Sequence, residues 1–198
     1  MKVARPPCAA ATTMSSPGSP GTAPVLLLQN EVPAEVNLAA AAAARRAGAT
    51  VVLNAAPARQ VSPELLALVD VLVVNRVEAA FLSDRPMDDR VAALAVVSGL
   101  DPRLPGLVVT LGGDGLVVRA RGSEAIPLQA HPVKAISALG AGDCFVGAIA
   151  SRLAAGAELV AACRWANAAA ALYVSSDDAA QARLGPVDVE AFLARQLP

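Results

Sequence analysis

A chain of 198 residues is long enough for one domain with a substantial core, and 55% hydrophobic against 17% charged residues argues against disorder over most of it. A net charge of -1, no basic cluster larger than Arg45-Arg46 and only 3% aromatic residues leave neither the electrostatic footprint nor the stacking platform of a nucleic-acid binder, and they count against an anionic membrane surface. The three cysteines, Cys8, Cys144 and Cys163, match no metal or redox spacing, and no uncharged apolar run reaches the roughly 18–20 residues of a membrane span, so the expectation is a cytoplasmic protein with reduced thiols.

Residues 1–24 carry Pro6-Pro7, Ser15-Ser16-Pro17-Gly18 and Ser19-Pro20-Gly21 without any apolar period, which reads as a low-complexity tail or linker. From Val25 onward strand and helix signals alternate, and residues 25–198 read as one domain. Val25-Leu26-Leu27-Leu28, Thr50-Val51-Val52-Leu53, Val71-Leu72-Val73-Val74 and Leu107-Val108-Val109-Thr110 are short apolar runs, the pattern of strands buried on both faces. Between them lie an Ala-rich helix from Pro33 to Ala47 ending at Gly48, a helix opened by Ser62-Pro63, and helices over 76–82 and 88–98. Leu116-Val117-Val118 and Ile126-Pro127-Leu128 form two more short strands around a turn near Gly122. Helices follow over 142–155, 158–174 and 187–197. The alternation predicts a mainly parallel sheet covered on both faces, with ligands expected at the carboxyl ends of its strands.

Chemistry-bearing residues fall at those ends. Gly140-Ala141-Gly142-Asp143 opens a helix: glycines admit a ligand close to the backbone, the unpaired N–H groups favour a phosphate or developing oxyanion, and an aspartate can accept a hydroxyl proton. That division of labour suits phosphoryl transfer, although the motif alone is equally an ordinary capped turn. Asn75 and Glu78 follow the third strand, where an amide and a carboxylate can orient phosphate oxygens and a hydrated Mg²⁺; taken alone, an Asn cap with a solvated Glu explains them as well. Thr110-Leu111-Gly112-Gly113-Asp114-Gly115 allows close contact with a nucleotide, or is a plain strand connection.

These motifs in this order, with Leu28-Gln29-Asn30-Glu31, Pro57-Ala58-Arg59 and the ending Ala191-Phe192-Leu193-Ala194-Arg195-Gln196, resemble the ribokinase branch of the PfkB carbohydrate kinases. The resemblance implies a three-layer α/β/α sandwich and transfer of the ATP γ-phosphoryl group to a sugar hydroxyl, D-ribose O5 above all. It makes Asp143 the base and Gly140, Ala141 and Gly142 the anion hole. Asn75, Thr110, Gly112, Gly115 and Asn167 become nucleotide contacts, Glu78 a Mg²⁺ contact through water, and Glu31 with Asp143 the sugar contacts.

The chain departs from the family pattern in two ways. Ser137 stands where ribokinases commonly carry an aspartate of a monovalent-cation site, which counts against K⁺ activation. The N-terminal G-G-K-G-A-N-like motif, a sugar-binding aspartate and the β-lid that mediates dimerisation have no counterpart before Val25. The expectation is therefore an N-terminally truncated fold without a lid-mediated homodimer, and an exposed apolar strand edge. A non-catalytic nucleotide-binding remnant or interaction module, and a kinase for another sugar or nucleoside, are the alternatives.

Overall fold

The computed structural model describes residues 24–196, so the tail assigned to residues 1–24 falls, up to residue 23, outside the described residues. Each apolar run becomes a strand: β1 Val25–Gln29, β2 Thr50–Asn54, β3 Val71–Asn75, β4 Gly106–Thr110, β5 Leu116–Arg119 and β6 Ala125–Leu128. They form one sheet in chain order, β1 to β4 parallel and β5 and β6 antiparallel. The helices are α1 Ala34–Arg46, α2 Pro63–Leu68, α3 Arg76–Ser83, α4 Arg90–Ser98, α5 Ala141–Ala154, α6 Leu159–Val174, α7 Asp178–Gln181 and α8 Pro186–Gln196.

Local chemistry accounts for the helix ends. Gly48 sits at φ +75° one residue past the C-cap of α1. The Ser62 hydroxyl accepts from Leu65 N at 3.2 Å, with Pro63 at the first helical position of α2. Asp89 caps α4 in the same way, accepting from Ala92 N.

Strand order then decides the layers. Consecutive parallel strands laid side by side in one direction, joined by right-handed crossovers, put every crossover helix on one face. Leu26, Leu28, Val51 and Leu53 accordingly pack with Ala41 of α1 and Leu65 of α2, while Val74, Leu107, Val109 and Val117 pack with α3 and α4. The alternate residues Val25, Val52, Val73, Val108, Leu116 and Val118 face the other way, onto Phe145, Ile149, Cys163 and Ala166 of α5 and α6. Burying each such Val or Leu contributes roughly 1.5–3 kcal/mol. The three-layer α/β/α sandwich expected from the sequence is what forms, and small residues let its opposite layer pack closely, with Ala162, Ala166 and Ala168 wholly inaccessible.

Among the described residues nothing pairs with the outer edge of β1. Its side chains are nevertheless covered, Val25, Leu26 and Leu28 by α1 and α5. What the edge offers is unpaired backbone rather than apolar surface. No described helix is long and apolar enough to cross a membrane.

Candidate active site

The four parallel strands deliver Glu31, Asn54, Asn75 and Thr110 to one edge of the sheet, and the N-terminus of α5 arrives at the same edge. Gln29, the last residue of β1, donates from Nε2 to Asp143 Oδ1 at 3.5 Å. Gly140 is the N-cap of α5 in the left-handed conformation, φ +81°, and no side chain caps the helix. The first-turn N–H groups of Gly142 and Asp143 therefore have no protein partner among the described residues, and Gly142 and Asp143 are exposed. Such a terminus attracts negative charge. A cavity of about 390 Å³ opens beside it, lined by Ser137, Gly140, Asp143, Tyr173, Asp178 and Gln181 among others.

The residues behind Gly140 fix its turn. Ile136 N and Ser137 N both donate to Val174 O, at 2.7 and 3.2 Å, which ties the incoming loop to the last turn of α6. The Tyr173 ring from that turn packs directly against Gly140, where a Cβ would meet the phenol oxygen at 2.8 Å.

Asn75 and Glu78 form a reciprocal capping box. Asn75 Oδ1 accepts from Val77 N and Glu78 N, while Asn75 N and Nδ2 donate to the two oxygens of Glu78 at 2.7 and 2.8 Å. The cap anticipated as an alternative is thus present, but its Glu is not solvated: Glu78 is only 5% exposed.

The glycine-rich turn after β4 is built around Gly115, at φ +91°, whose α-carbon abuts the Leu128–Ala130 backbone. Asn167 on α6 donates to Gln129 O at 2.7 Å, so the turn and Asn167 meet through one short segment. Two groups of sequence-assigned residues result. Asp143, Gly140, Ala141 and Gly142 share the α5 terminus with Gln29; Gly115 and Asn167 meet at the segment after β6, with Thr110 and Gly112 leading into the turn that Gly115 closes. Glu31 lies exposed in the turn after β1, outside the lining of the cavity.

Comparisons with known proteins bear on the family and the fold. A family model described as pfkB family carbohydrate kinase matches residues 7–183. The chain belongs to the pfkB family of carbohydrate kinases. Among its relatives, ribokinase of Haemophilus influenzae is 35% identical over 155 residues, covering 78% of this chain and 50% of the relative. Mouse ribokinase is 34% identical over 136 residues, covering 67% of this chain and 42% of the relative. Among solved structures, Arabidopsis thaliana ribokinase complexed with ribose and ATP superposes with a TM-score of 0.77 at 28% identity, covering 86% of this chain and 56% of that one. The chain spans about half the length of the curated relatives it matches.

Two residues at the site are given no role there by the sequence, although Gln29 lies within the Leu28-Gln29-Asn30-Glu31 motif. Gln29 touches Asp143, and Tyr173 backs Gly140; both contacts join segments far apart in the chain. Three other side chains, His131, Trp165 and Asp177, make structural contacts. His131 packs edge-on against Phe192 at 5.3 Å, and burial lowers its pKa. Trp165 packs on the core with Arg152 over its ring, and Asp177 caps α7.

The two described thiols differ. Burial raises the Cys144 pKa and pushes that of Cys163 up to about 12. A thiol whose pKa is raised is protonated, and slow to alkylate, until the pH approaches that raised value. At pH 8 iodoacetamide should label Cys144 slowly and leave Cys163 unmodified in the folded chain, as peptide mapping would show. Modification of Cys163 at the rate of an exposed thiol would contradict the packing of α6.

Proposed function

We propose that the chain carries the phosphoryl-transfer half of a cytoplasmic, ribokinase-like sugar kinase that moves the γ-phosphoryl group of ATP to O5 of D-ribose. The observation that carries this reading is the uncapped α5 terminus, presented with Asp143 in its first turn at the carboxyl edge of the sheet. Asp143 takes the proton of the acceptor hydroxyl while its oxygen attacks the γ-phosphorus in line. The bond from that phosphorus to the bridging oxygen breaks, and ADP leaves with the electron pair. The free N–H groups of Gly142 and Asp143, opened by the Gly140-Ala141-Gly142 turn, receive the charge spread over the transferred group, the Ala141 N–H being held by Ala138 O. Thr110, Gly112, Gly115 and Asn167 hold the nucleoside end, Asn75 orients phosphate oxygens, and Glu31 with Asp143 receives the sugar.

Mg²⁺ fits this set as an ion carried by the nucleotide. No cluster of three or more His, Cys, Asp or Glu exists among the described residues, and each Glu78 oxygen already accepts one bond from Asn75. Glu78 is thereby left to act on the ion through water, and the bound ion would neutralise phosphate charge. Ser137 supplies no carboxylate for a monovalent cation.

ADP release by the purified chain with Mg·ATP, with and without D-ribose, tests the reading; adenosine and fructose serve as competing acceptors. Ribose-dependent release supports it, and release driven only by another acceptor reassigns the substrate. Mg·ATP at ~100 times its Kd should also raise the stability of the chain by about 2.7 kcal/mol, seen as a higher Tm. A Tm shift without release under any acceptor would favour the second reading, a nucleotide-binding module without turnover. That reading draws on the chain spanning only about half of its relatives.

A further inference from the structure

Arg76, the second residue of the Asn75–Glu78 motif, is taken up by no step of the reaction above, yet its side chain makes three hydrogen bonds outside its own helix, two of them to the turn after β4. One guanidinium nitrogen donates to Asp88 O at 2.7 Å. The other donates to Leu111 O at 3.2 Å and to Asp114 Oδ2 at 2.5 Å. Arg90, at the start of α4, donates to the backbone oxygen of the same Asp114 at 2.8 Å. Leu111 and Asp114 flank Gly112-Gly113, and with Gly115 these residues make up the glycine-rich turn after β4. Burial of Leu111 and Gly115 anchors the two ends of that turn, and its own bonds are Leu111 N to Gly115 O, Asp114 N to Leu111 O and Gly115 N to Gly112 O. Gly112, Gly113 and Asp114 are exposed, and nothing approaches where a side chain on Gly112 or Gly113 would stand.

We propose that Arg76 is a positioning residue that locks the turn bearing Gly112 and Gly115 to the helix bearing Asn75 and Glu78, so that the two ends of one bound nucleotide are presented in a single register. This rests on the nucleotide-site reading given above. The physical case is one of fork geometry. A planar guanidinium reaches two carbonyls and a carboxylate at once, which a lysine ammonium on a flexible stem does not reproduce. The Arg76–Asp114 pair is half exposed, so its Coulomb energy is small; its value lies in fixing the exposed Gly112–Asp114 stretch of the turn before the nucleotide arrives.

The test is calorimetric titration of Mg·ADP into wild-type chain and into Arg76→Gln, Arg76→Lys, Asp114→Asn and the Arg76→Gln/Asp114→Asn double variant. Amide hydrogen exchange is followed in parallel. Arg76→Gln should weaken ADP binding about tenfold, with Arg76→Lys close to it and Asp114→Asn weaker by about threefold. The double variant should bind no more weakly than Arg76→Gln, because both changes act through one contact. Faster exchange should be confined to the amides of Leu111, Asp114 and Gly115. Wild-type affinity in Arg76→Lys would replace bracing by simple attraction of the phosphates and overturn the proposal. Multiplying losses in the double variant, or unchanged exchange in the turn, would overturn it as well. A wild-type chain that binds no ADP sinks the nucleotide reading together with this inference, whereas wild-type binding matched by Arg76→Gln sinks the inference alone.

Discussion

Asp143→Asn should lower ribose-dependent ADP release about a thousandfold, the scale of a positioned general base. The amide keeps the shape and the contact with Gln29, but it cannot take a proton from the acceptor hydroxyl. Folding should be nearly unaffected. Asp143 is exposed in the first turn of α5, where exchanging a charge for a dipole costs a few tenths of a kcal/mol at the helix terminus. Mg·ADP affinity should hold or rise, because a negative charge beside the phosphates is removed while the free N–H groups of Gly142 and Asp143 remain. The measurement is initial-rate ADP release beside a nucleotide titration on the same preparation. A variant retaining a tenth of the wild-type rate would remove Asp143 from the role of base. Loss of nucleotide binding in step with the rate would show that the carboxylate supports the site rather than the chemistry.

The legibility of this fold follows from where its information is stored. Strands buried on both faces are four- or five-residue apolar runs, and β1 to β5 are visible as such without tertiary knowledge. Helix starts are visible where a cap is written in the sequence, as at Ser62-Pro63 and Asn75. α7 escapes because four residues, Asp178–Gln181, are too few to show a period, and only the Asp177 side chain marks its start. The site divides along the same line. Gly140-Ala141-Gly142-Asp143 and Asn75/Glu78 are local motifs, so the residues themselves are legible. The burial of Glu78 is not, because it depends on α3 packing against β3 and β4. The contacts from Gln29 to Asp143, Tyr173 to Gly140 and Arg76 to Asp114 join residues far apart in the chain and exist only once the crossovers have placed their elements.

Gly115→Ala should be the most destabilising single-methyl change in the nucleotide half. Gly115 holds φ +91° and ψ -134°, a conformation that only glycine adopts without strain, and such strain costs about 1–3 kcal/mol. The added Cβ would also lie 2.1 Å from Leu128 O, 2.7 Å from Ala130 N and 2.9 Å from the Gln129 carbonyl carbon. All three are backbone atoms, so no rotamer change relieves the overlap, and displacing them adds about 1–3 kcal/mol. A loss of about 4 kcal/mol is a large part of the 5–15 kcal/mol that holds a domain together, and it should lower Tm by roughly 10 °C. Gly113→Ala is the matched control: it sits two residues away at an ordinary φ with nothing within 4 Å of its Cβ, and it should change stability by less than about 0.5 kcal/mol. The damage from Gly115→Ala also has a direction. The displaced backbone, Leu128 to Ala130, includes the carbonyl that receives Asn167, so nucleotide affinity should fall even at temperatures where the variant remains folded. Thermal unfolding of both variants, with a Mg·ADP titration at 15 °C, separates the two effects. Equal stability of the alanine variants would mean that the turn after β4 does not close against β6.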